Sequence, residues 1–119
     1  MDYKDLDAWK QAILLVEDIY RISISFPKEE LFGLTSQMRR AAVSIPSNLS
    51  EGSARNSNKE FAQFLHIALG SLAELETQLI IVDRLAYGEI GGAMERLIRV
   101  RSLLLGLRTH IRRTLKPIA

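Results

Sequence analysis

The chain has 119 residues, 47% of them hydrophobic and 25% charged, a composition that predicts one folded domain over residues 1–119 and excludes a disordered chain. Its formal net charge of +2 is too small to identify a nucleic-acid-binding protein, and the absence of cysteine excludes disulfides and thiolate metal sites. Because the N-terminus lacks an apolar signal segment and no apolar run approaches the ~20 residues that cross a bilayer, we expect a cytoplasmic protein without membrane contact.

The first predicted helix covers residues 6–25 and is amphipathic. Asp5 or Asp7 can cap its N-terminus, and Pro27 ends it because the residue before proline avoids the α-helical region. Two neighbouring apolar stripes run along it. The first stripe consists of Leu6, Trp9, Ile13, Val16 and Tyr20, and the second of Ala12, Ile19 and Phe26.

The second predicted helix begins near Glu29 or Glu30, because carboxylates favour a helix N-terminus. It contains Pro46, which lacks an N–H and whose ring collides with a carbonyl one turn earlier, so the helix must bend or stop there. We favour a kinked helix that continues to Gly52, a residue type common at helix C-termini. In the alternative, the helix ends at Ile45 and a loop follows.

The third predicted helix covers residues 58–86 and begins with a capping box. The Ser57 hydroxyl can accept from the Glu60 N–H, while the Glu60 carboxylate reaches back to the Ser57 N–H. Apolar residues then recur in alternating steps of four and three, which is typical of a helix packed lengthwise on another. Gly88 is expected to end this helix.

The fourth predicted helix covers residues 89–115, although Gly91 and Gly92 could delay its start by two or three residues. It shows the same alternating spacing as the third helix. The connections between all four helices are short, which favours antiparallel neighbours. The sequence therefore predicts an all-α, antiparallel up-down-up-down four-helix bundle, with its second helix kinked at Pro46.

Several helices carry more apolar residues than one core-facing stripe requires. Thick bundles use wide apolar faces, and single exposed aliphatics are common, so this surplus could be ordinary. We favour self-association, because three helices show the same surplus and identical apolar patches favour closed symmetric oligomers. The predicted oligomer interface consists of Leu15, Ile22, Ile67, Ile80, Ile81, Ile98 and Leu105.

No arrangement of residues indicates catalysis. The chain has no Glu-x-x-His motif for a di-metal site, no serine with a nearby histidine base and no glycine-rich phosphate loop, so we expect a non-enzyme without metal or cofactor. Three polar residues near the predicted kink, Asn48, Glu51 and Arg55, are interpreted as a local hydrogen-bonding network. Glu51 and Arg55 have the spacing of a helical ion pair.

The fourth helix is the basic element of the chain, with seven Lys and Arg residues against two Glu between residues 89 and 116. Such a helix can have a solvated cationic face, or its arginines can contact phosphates and release counterions. It contains no aromatic residue, which argues against base-specific reading of single strands. The candidate nucleic-acid-binding residues are Arg99, Arg108, Arg112, Arg113 and Lys116.

The segments SIPSNLSEG, ARNSNKEFAQFL and IALGSLAELETQL closely resemble the bacterial four-helix bundle proteins known as 23S rRNA intervening-sequence proteins. The shared motif consists of Pro46, Ser47, Asn48, Glu51, Gly52, Arg55, Ser57, Glu60, Gly70, Ser71 and Glu74. We interpret Gly70 and Ser71 as small residues that allow close helix approach. The resemblance implies a homopentameric barrel with a basic surface and no catalytic residues, similar to accessory proteins of diversity-generating retroelements, which bind a reverse transcriptase and nucleic acid.

The predicted function is therefore that of a non-enzymatic homo-oligomer that binds structured RNA, DNA or a ribonucleoprotein through its basic C-terminal helix. The alternative is a protein-interaction scaffold that recruits a partner enzyme, such as a reverse transcriptase, without contacting nucleic acid.

Overall fold

The structure is a computed structural model that describes the backbone of residues 2–115 and the side chains of residues 2–114. Within this range the chain is all-helical and contains no strand, as predicted. Two single-turn 3-10 helices, Tyr3–Asp5 and Lys28–Glu30, precede the first two α-helices. The α-helices are α1 (Asp7–Ser23), α2 (Leu34–Ser53), α3 (Asn58–Arg84) and α4 (Gly91–Leu115).

The four helices form a closed square that measures 55 × 21 × 20 Å. Each helix packs on its neighbours in sequence and α1 packs on α4, whereas in the two diagonal pairs no Cα atoms of described residues lie within 8 Å of each other. Asn58 at the start of α3 donates to Thr114 near the end of α4 at 2.7 Å, and Glu76 accepts from Arg101 nearer the other end at 2.9 Å. Contacts between the start of one helix and the end of the other are those that an antiparallel pair makes. The antiparallel arrangement of all four helices stays a prediction.

The hydrophobic core is built from a different stripe of α1 than the first one predicted. Ala8, Ala12, Leu15 and Ile19 are at most 5% exposed, while Tyr20 of the first predicted stripe is 42% exposed. The two apolar stripes of α1 together form a face that is wider than the core can bury. The middle of this face points toward the bundle axis. The bulkier side chains at its edge remain partly in solvent on the side of α2.

The start of α2 lies several residues later than predicted. Lys28–Glu30 forms a separate 3-10 turn, and Gly33 has a non-helical backbone (φ −111°, ψ −111°). The Glu30 carboxylate accepts from the Leu34 N–H at 3.5 Å, so it supports the helix from outside rather than from its first turn. The predicted caps of α1 were also wrong, because Leu6 holds the N-cap position without a side-chain hydrogen bond.

Pro46 lies buried inside a helix that continues to Ser53, so the alternative in which the helix ends at Ile45 was wrong. Proline removes the hydrogen bond to the Ala42 carbonyl. The Ser50 hydroxyl donates to the carbonyls of Pro46 and Ser47 at 3.1 and 3.0 Å rather than to this freed carbonyl. A bend of the helix axis at Pro46 stays a prediction.

The α3 helix has one half of the predicted capping box. Ser57 accepts from the Glu60 N–H at 3.2 Å, whereas the Glu60 carboxylate lies 3.5 Å from the Ser57 hydroxyl and not on its N–H. The helix ends at Arg84, two residues before its predicted end at residue 86. Ala86 takes the left-handed conformation at φ 57°, and the next N–H, that of Tyr87, bonds back to the Val82 carbonyl at 3.0 Å.

These bonds form a Schellman motif, which usually places glycine in the left-handed position that Ala86 occupies here. After it, the Tyr87 hydroxyl donates to Glu30 at 3.1 Å and thereby joins the α3–α4 loop to the α1–α2 loop. This hydrogen bond, followed by desolvation and the negative charges of Glu30 and Glu29, raises the pKa of Tyr87 above its ordinary value. The α4 helix then begins at Gly91, which confirms the predicted delay.

Candidate nucleic-acid and assembly surfaces

Two arginines of α4 are bound to other helices and are therefore not free to contact a ligand. Arg96 donates to Asp18 of α1 at 2.6 Å and to Gln11 at 3.2 Å. Arg101 donates to Glu76 of α3 at 2.9 Å. Both ion pairs hold α4 in the bundle, and both neutralise part of the positive charge that the sequence places on this helix.

Three of the predicted nucleic-acid-binding residues, Arg99, Arg112 and Arg113, have exposed side chains. No acidic side chain of residues 2–114 lies within 4.0 Å of their guanidinium groups. They are therefore the exposed arginines of α4 that form no ion pair within the described residues, although Glu95 lies one turn before Arg99 and lines the same cleft. An exposed guanidinium without an ion-pair partner can form charge-assisted, bidentate hydrogen bonds with a phosphate group.

The remaining two predicted residues differ from these three. Arg108 is half-buried, and its Nε atom is buried without a hydrogen-bond partner among the described residues. Its guanidinium is thus partly enclosed by its own bundle, which fits the predicted role less well. Lys116 lies outside the described residues.

The three exposed arginines lie on two sides of α4. Arg99 and Arg113 are two heptads apart, so they point in nearly the same direction, about 21 Å from each other along the helix. Arg99 lines a cleft together with Gln11 of α1, which assigns this side to the α1–α4 face. Arg112 follows Arg101 by eleven residues, or three turns, and so lies on the side of α3.

The residues predicted to form an oligomer interface do not all lie at the surface. Leu15 is completely buried in the core, so its assignment to an interface was wrong. It belongs to the stripe of α1 that faces the bundle axis, which the spacing of apolar residues alone could not distinguish from its neighbour. Ile22 is half-buried and packs against the same core, which leaves little of it for a partner.

Three other predicted interface residues come together around the Arg101–Glu76 ion pair. Ile98 and Leu105 lie three residues before and four residues after Arg101, so they share one side of α4. Ile80 lies one turn beyond Glu76 on α3. Ile80 and Ile98 are 45% and 51% exposed, and Leu105 is partly exposed. Ile80, Ile98 and Leu105 are called the α3–α4 patch below.

Ile67 and Ile81 are exposed as well, at 50% and 40%, but they lie elsewhere on α3. They are two heptads apart and therefore share one side of the helix, about 100° or more around the axis from Ile80. The predicted interface residues therefore fall into three groups: those packed in or against the core, those exposed outside the α3–α4 patch, and those that form the patch.

A second apolar surface lies on the opposite side of the bundle, and none of its residues was among the predicted interface residues. Two adjoining cavities of about 610 and 250 Å³ lie between α1 and α2, and Val43 lines both. This α1–α2 groove includes residues that are well exposed for their type, with Phe32 at 93% and Leu31 at 51%. The larger apolar residues that line the groove are Trp9, Ile13, Val16, Tyr20, Leu31, Phe32 and Val43, and polar lining is supplied by Arg39, Arg40 and several hydroxyl side chains.

Two charged side chains line the groove: Arg40 is exposed, whereas Arg39 is held by its own chain. Arg39 donates from Nε to the Ser23 hydroxyl at 2.9 Å, and its guanidinium lies 4.6 Å from the centre of the Tyr20 ring. A hydrogen bond and a cation–π contact together hold this guanidinium against α1. Because α2 starts late, Leu31 and Phe32 lie in a turn and are exposed to solvent. The sequence analysis placed them in a helix and therefore did not predict their exposure.

The polar residues of the shared motif form a local network between α2 and α3. The Asn48 amide donates to the Ser44 carbonyl and hydroxyl at 2.8 and 3.0 Å, and the Ser44 and Ser71 hydroxyls share a hydrogen bond of 2.8 Å. This outcome agrees with the structural interpretation of Asn48. Glu51 and Arg55 could pair only in a continuous helix, and α2 ends before Arg55, whose guanidinium lies 4.9 Å from the centre of the Phe64 ring.

Two glycines of the motif have different surroundings from those predicted. Gly52 is buried within α2 rather than following its last turn, and a Cβ there would lie 2.8 Å from atoms of Phe61 and Phe64. It therefore allows α3 to approach α2 closely. Gly70 is exposed, and a Cβ added there would meet no atom of another helix within 4 Å, so its predicted role in close helix approach was wrong.

Among residues 2–114 no three His, Asp or Glu side chains come together as metal ligands would. In the same part of the chain, α3 is long and apolar enough to span a membrane by length and composition alone. Its buried residues, including Leu65, Leu72, Leu75 and Leu79, pack into the hydrophobic core, which accounts for this composition.

Comparison with known proteins connects this bundle to one family. No curated protein matches the chain. The family model described as 23S rRNA-intervening sequence protein matches residues 4–104, a range that covers the first three α-helices and more than half of α4. The chain therefore belongs to the 23S rRNA-intervening sequence protein family.

Proposed function

We propose that this protein is a non-enzymatic homo-oligomer that binds structured RNA or DNA through α4. The observation that carries the proposal is the exposure of Arg99, Arg112 and Arg113 without an intramolecular partner among the described residues. Exposed arginines of this kind contribute to nucleic-acid affinity through phosphate contacts and counterion release, independently of sequence.

One chain offers few such contacts, so the proposal depends on assembly. Several copies would repeat the three arginines and raise the avidity for a long phosphate backbone without any new contact within one chain. The absence of aromatic side chains from α4 favours backbone recognition over base stacking. A structured RNA or a duplex suits this mode better than an unstacked single strand.

A salt titration of nucleic-acid binding tests the proposal. The probes are a labelled RNA hairpin and a labelled DNA duplex, and the variant is Arg99→Ala/Arg112→Ala/Arg113→Ala. We expect weaker binding and a log–log salt slope that is shallower by ~0.7–0.9 for each of the three arginines that contacts a phosphate in the wild-type complex.

The charge-matched control is Lys10→Ala/Arg21→Ala/Arg84→Ala, which removes three exposed cations from α1 and α3. If it weakens binding as much as the α4 variant, attraction depends on net charge and the assignment to α4 fails. Absence of binding to either probe at low salt contradicts the proposed function and favours the alternative role as a protein scaffold.

A further inference from the structure

A polar cleft lies between α2 and α3, next to the α1–α2 groove, with which it shares Arg40 and Ser44. This α2–α3 cleft has a volume of about 300 Å³ and is lined by Gln37, Arg40, Ala41, Ser44, Ser71 and Glu74. Ser71 and Glu74 belong to the motif shared with the family, and neither takes part in the proposed contact of α4 with nucleic acid. Motif residues thus line an open cavity that the proposed function leaves unused.

Two opposite charges line the α2–α3 cleft without neutralising each other. Arg40 and Glu74 are exposed, and their charged groups do not come within 4.0 Å of each other. Neither forms an ion pair with any other side chain of residues 2–114. A guanidinium and a carboxylate that share a small cleft without contact leave room for a ligand that carries the complementary charge at each end.

The cleft also has a hydrogen-bond donor that the chain does not use. The Ser44 and Ser71 hydroxyls share one hydrogen bond of 2.8 Å, and the Asn48 amide donates to the Ser44 hydroxyl oxygen at 3.0 Å. The shared bond uses only one of the two hydroxyl protons, so one O–H remains without an acceptor among the described residues. Together with the Arg40 guanidinium, this donor favours a carboxylate at that end of the cleft.

At the other end of the cleft, a buried amide lies behind Glu74. Gln78 is 5% exposed, and its Nε2 atom donates to the Glu74 carboxylate at 3.5 Å. Its Oε1 atom is buried without a hydrogen-bond partner among the described residues. A carboxylate backed by an acceptor that lacks a donor favours a group rich in N–H donors, such as an ammonium, and disfavours a phosphate or a second carboxylate.

We propose that the α2–α3 cleft binds a small zwitterion, of which a free α-amino acid is the simplest. The ligand carboxylate contacts Arg40 and the free serine hydroxyl, and the ligand ammonium contacts Glu74. The volume of the cleft lies at the lower end of the roughly 300–1,000 Å³ that is usual for ligand pockets, so it selects a small molecule. An uncharged molecule would desolvate both charges of the cleft without pairing either of them.

The cleft is separate from the α4 surface that is proposed to bind nucleic acid. In the closed square of helices, the face between α2 and α3 lies opposite the face between α1 and α4, where Arg99 lines a cleft with Gln11. A molecule held between Arg40 and Glu74 therefore leaves Arg99 accessible. Binding of a zwitterion is an activity additional to nucleic-acid binding, and each can be measured without the other.

An NMR titration of the isotope-labelled protein tests the proposal. The zwitterionic probes are glycine, L-serine and L-glutamine, and the probes with a single charge are acetate and ethylammonium. We expect the amino acids to shift the backbone amide signals of Ser44, Ser71 and Glu74 saturably. Acetate and ethylammonium should bind about tenfold more weakly or worse, because each lacks one of the two charge-assisted contacts.

Variants that neutralise one charge assign the two ends of the ligand. Arg40→Gln should weaken the binding of L-serine about tenfold and leave that of ethylammonium unchanged, whereas Glu74→Gln should weaken L-serine similarly and leave acetate unchanged. Arg84→Gln and Glu89→Gln are the matched controls, since they neutralise exposed charges outside the cleft, and they should leave L-serine binding unchanged. All four positions are exposed, so circular dichroism should show wild-type helicity in each variant.

Three results would overturn the proposal. The first is the absence of a saturable shift with all three amino acids up to ~10 mM, a concentration above which binding is too weak to be specific. The second is acetate that binds as tightly as L-serine, because the cleft would then be an anion site in which Glu74 has no part. The third is equal weakening of L-serine binding by Arg84→Gln and Arg40→Gln, which would show attraction by net charge alone.

Discussion

At the scale of single residues, the two motif glycines show that the same residue type serves different purposes within one family signature. Gly52 leaves room for Phe61 and Phe64 where α2 meets α3, while Gly70 faces open space. We expect Gly52→Ala to lower the free energy of unfolding by about 1–3 kcal/mol, because an added methyl overpacks a rigid contact.

Gly70→Ala is the matched change and should raise the same free energy by about 0.5–1 kcal/mol, since alanine favours an exposed helix interior. Urea denaturation of both variants measures the difference. Equal effects of the two substitutions would contradict the assignment of close helix approach to Gly52.

The polar residues of the motif also act locally. Asn48, Ser44 and Ser71 bond to one another across the contact of α2 with α3, so they are structural in this fold. The sequence predicted this role for Asn48 from its position near Pro46. It could not predict that Arg55 stacks on Phe64 instead of pairing with Glu51, because that choice depends on where α2 ends and where α3 crosses it.

At the scale of helices, the C-terminus of α3 stores conformational strain. Ala86 has φ 57° within a Schellman motif, a conformation that costs an L-residue roughly 1–2 kcal/mol and costs glycine little. We expect Ala86→Gly to raise the free energy of unfolding by about 0.5–1 kcal/mol, after the larger entropy of the unfolded glycine chain is subtracted.

Ala73→Gly in the exposed middle of α3 is the control and should lower stability by about 1 kcal/mol. Thermal unfolding followed by circular dichroism compares the two. A loss of stability in both variants would mean that the left-handed backbone at residue 86 carries no strain.

The helix boundaries that were predicted correctly depend on local chemistry. Ser57 caps the start of α3, and Gly91 and Gly92 were predicted to delay the start of α4. Both effects act within a few residues, so the sequence determines them directly. The start of α2 was predicted too early because Glu29 and Glu30 favour a helix N-terminus in general. In this fold Glu30 instead accepts from Leu34 and from Tyr87 of a distant loop, which places the helix start after Gly33.

At the scale of the whole molecule, the ion pair between Arg96 and Asp18 closes the square by joining the first helix to the last. Its side chains are 32% and 14% exposed, compared with 35% and 31% for Arg101 and Glu76. We expect a double-mutant cycle of Arg96→Met and Asp18→Asn to give a coupling free energy of about 1 kcal/mol, because the more buried pair is screened less by water.

The same cycle on Arg101→Met and Glu76→Gln should give about 0.5 kcal/mol or less. Urea denaturation at low and high salt measures both couplings. A larger coupling for the Arg101 pair would contradict the interpretation of burial as the deciding factor.

The candidate surfaces were predicted only in part. The basic character of α4 follows from its composition, but the choice of which arginines remain free does not. Arg96 is not free to bind a ligand because it is paired with an aspartate 78 residues earlier in the chain. Helical spacing cannot indicate such a contact. Likewise, Ile80 and Ile98 form one patch only because α3 and α4 pack side by side.

By itself the sequence determined the number of helices, their approximate limits and the family, because apolar periodicity, caps and motif residues are local properties of the chain. Only the tertiary structure decided which side of each wide apolar arc is buried: Leu15 faces the core, while Tyr20 and Val43 line an open groove. The physical reason is that the other three helices can bury only part of the apolar face of each helix. Which part is buried depends on the rotation of the helix about its axis, and that rotation depends on all of its neighbours at once.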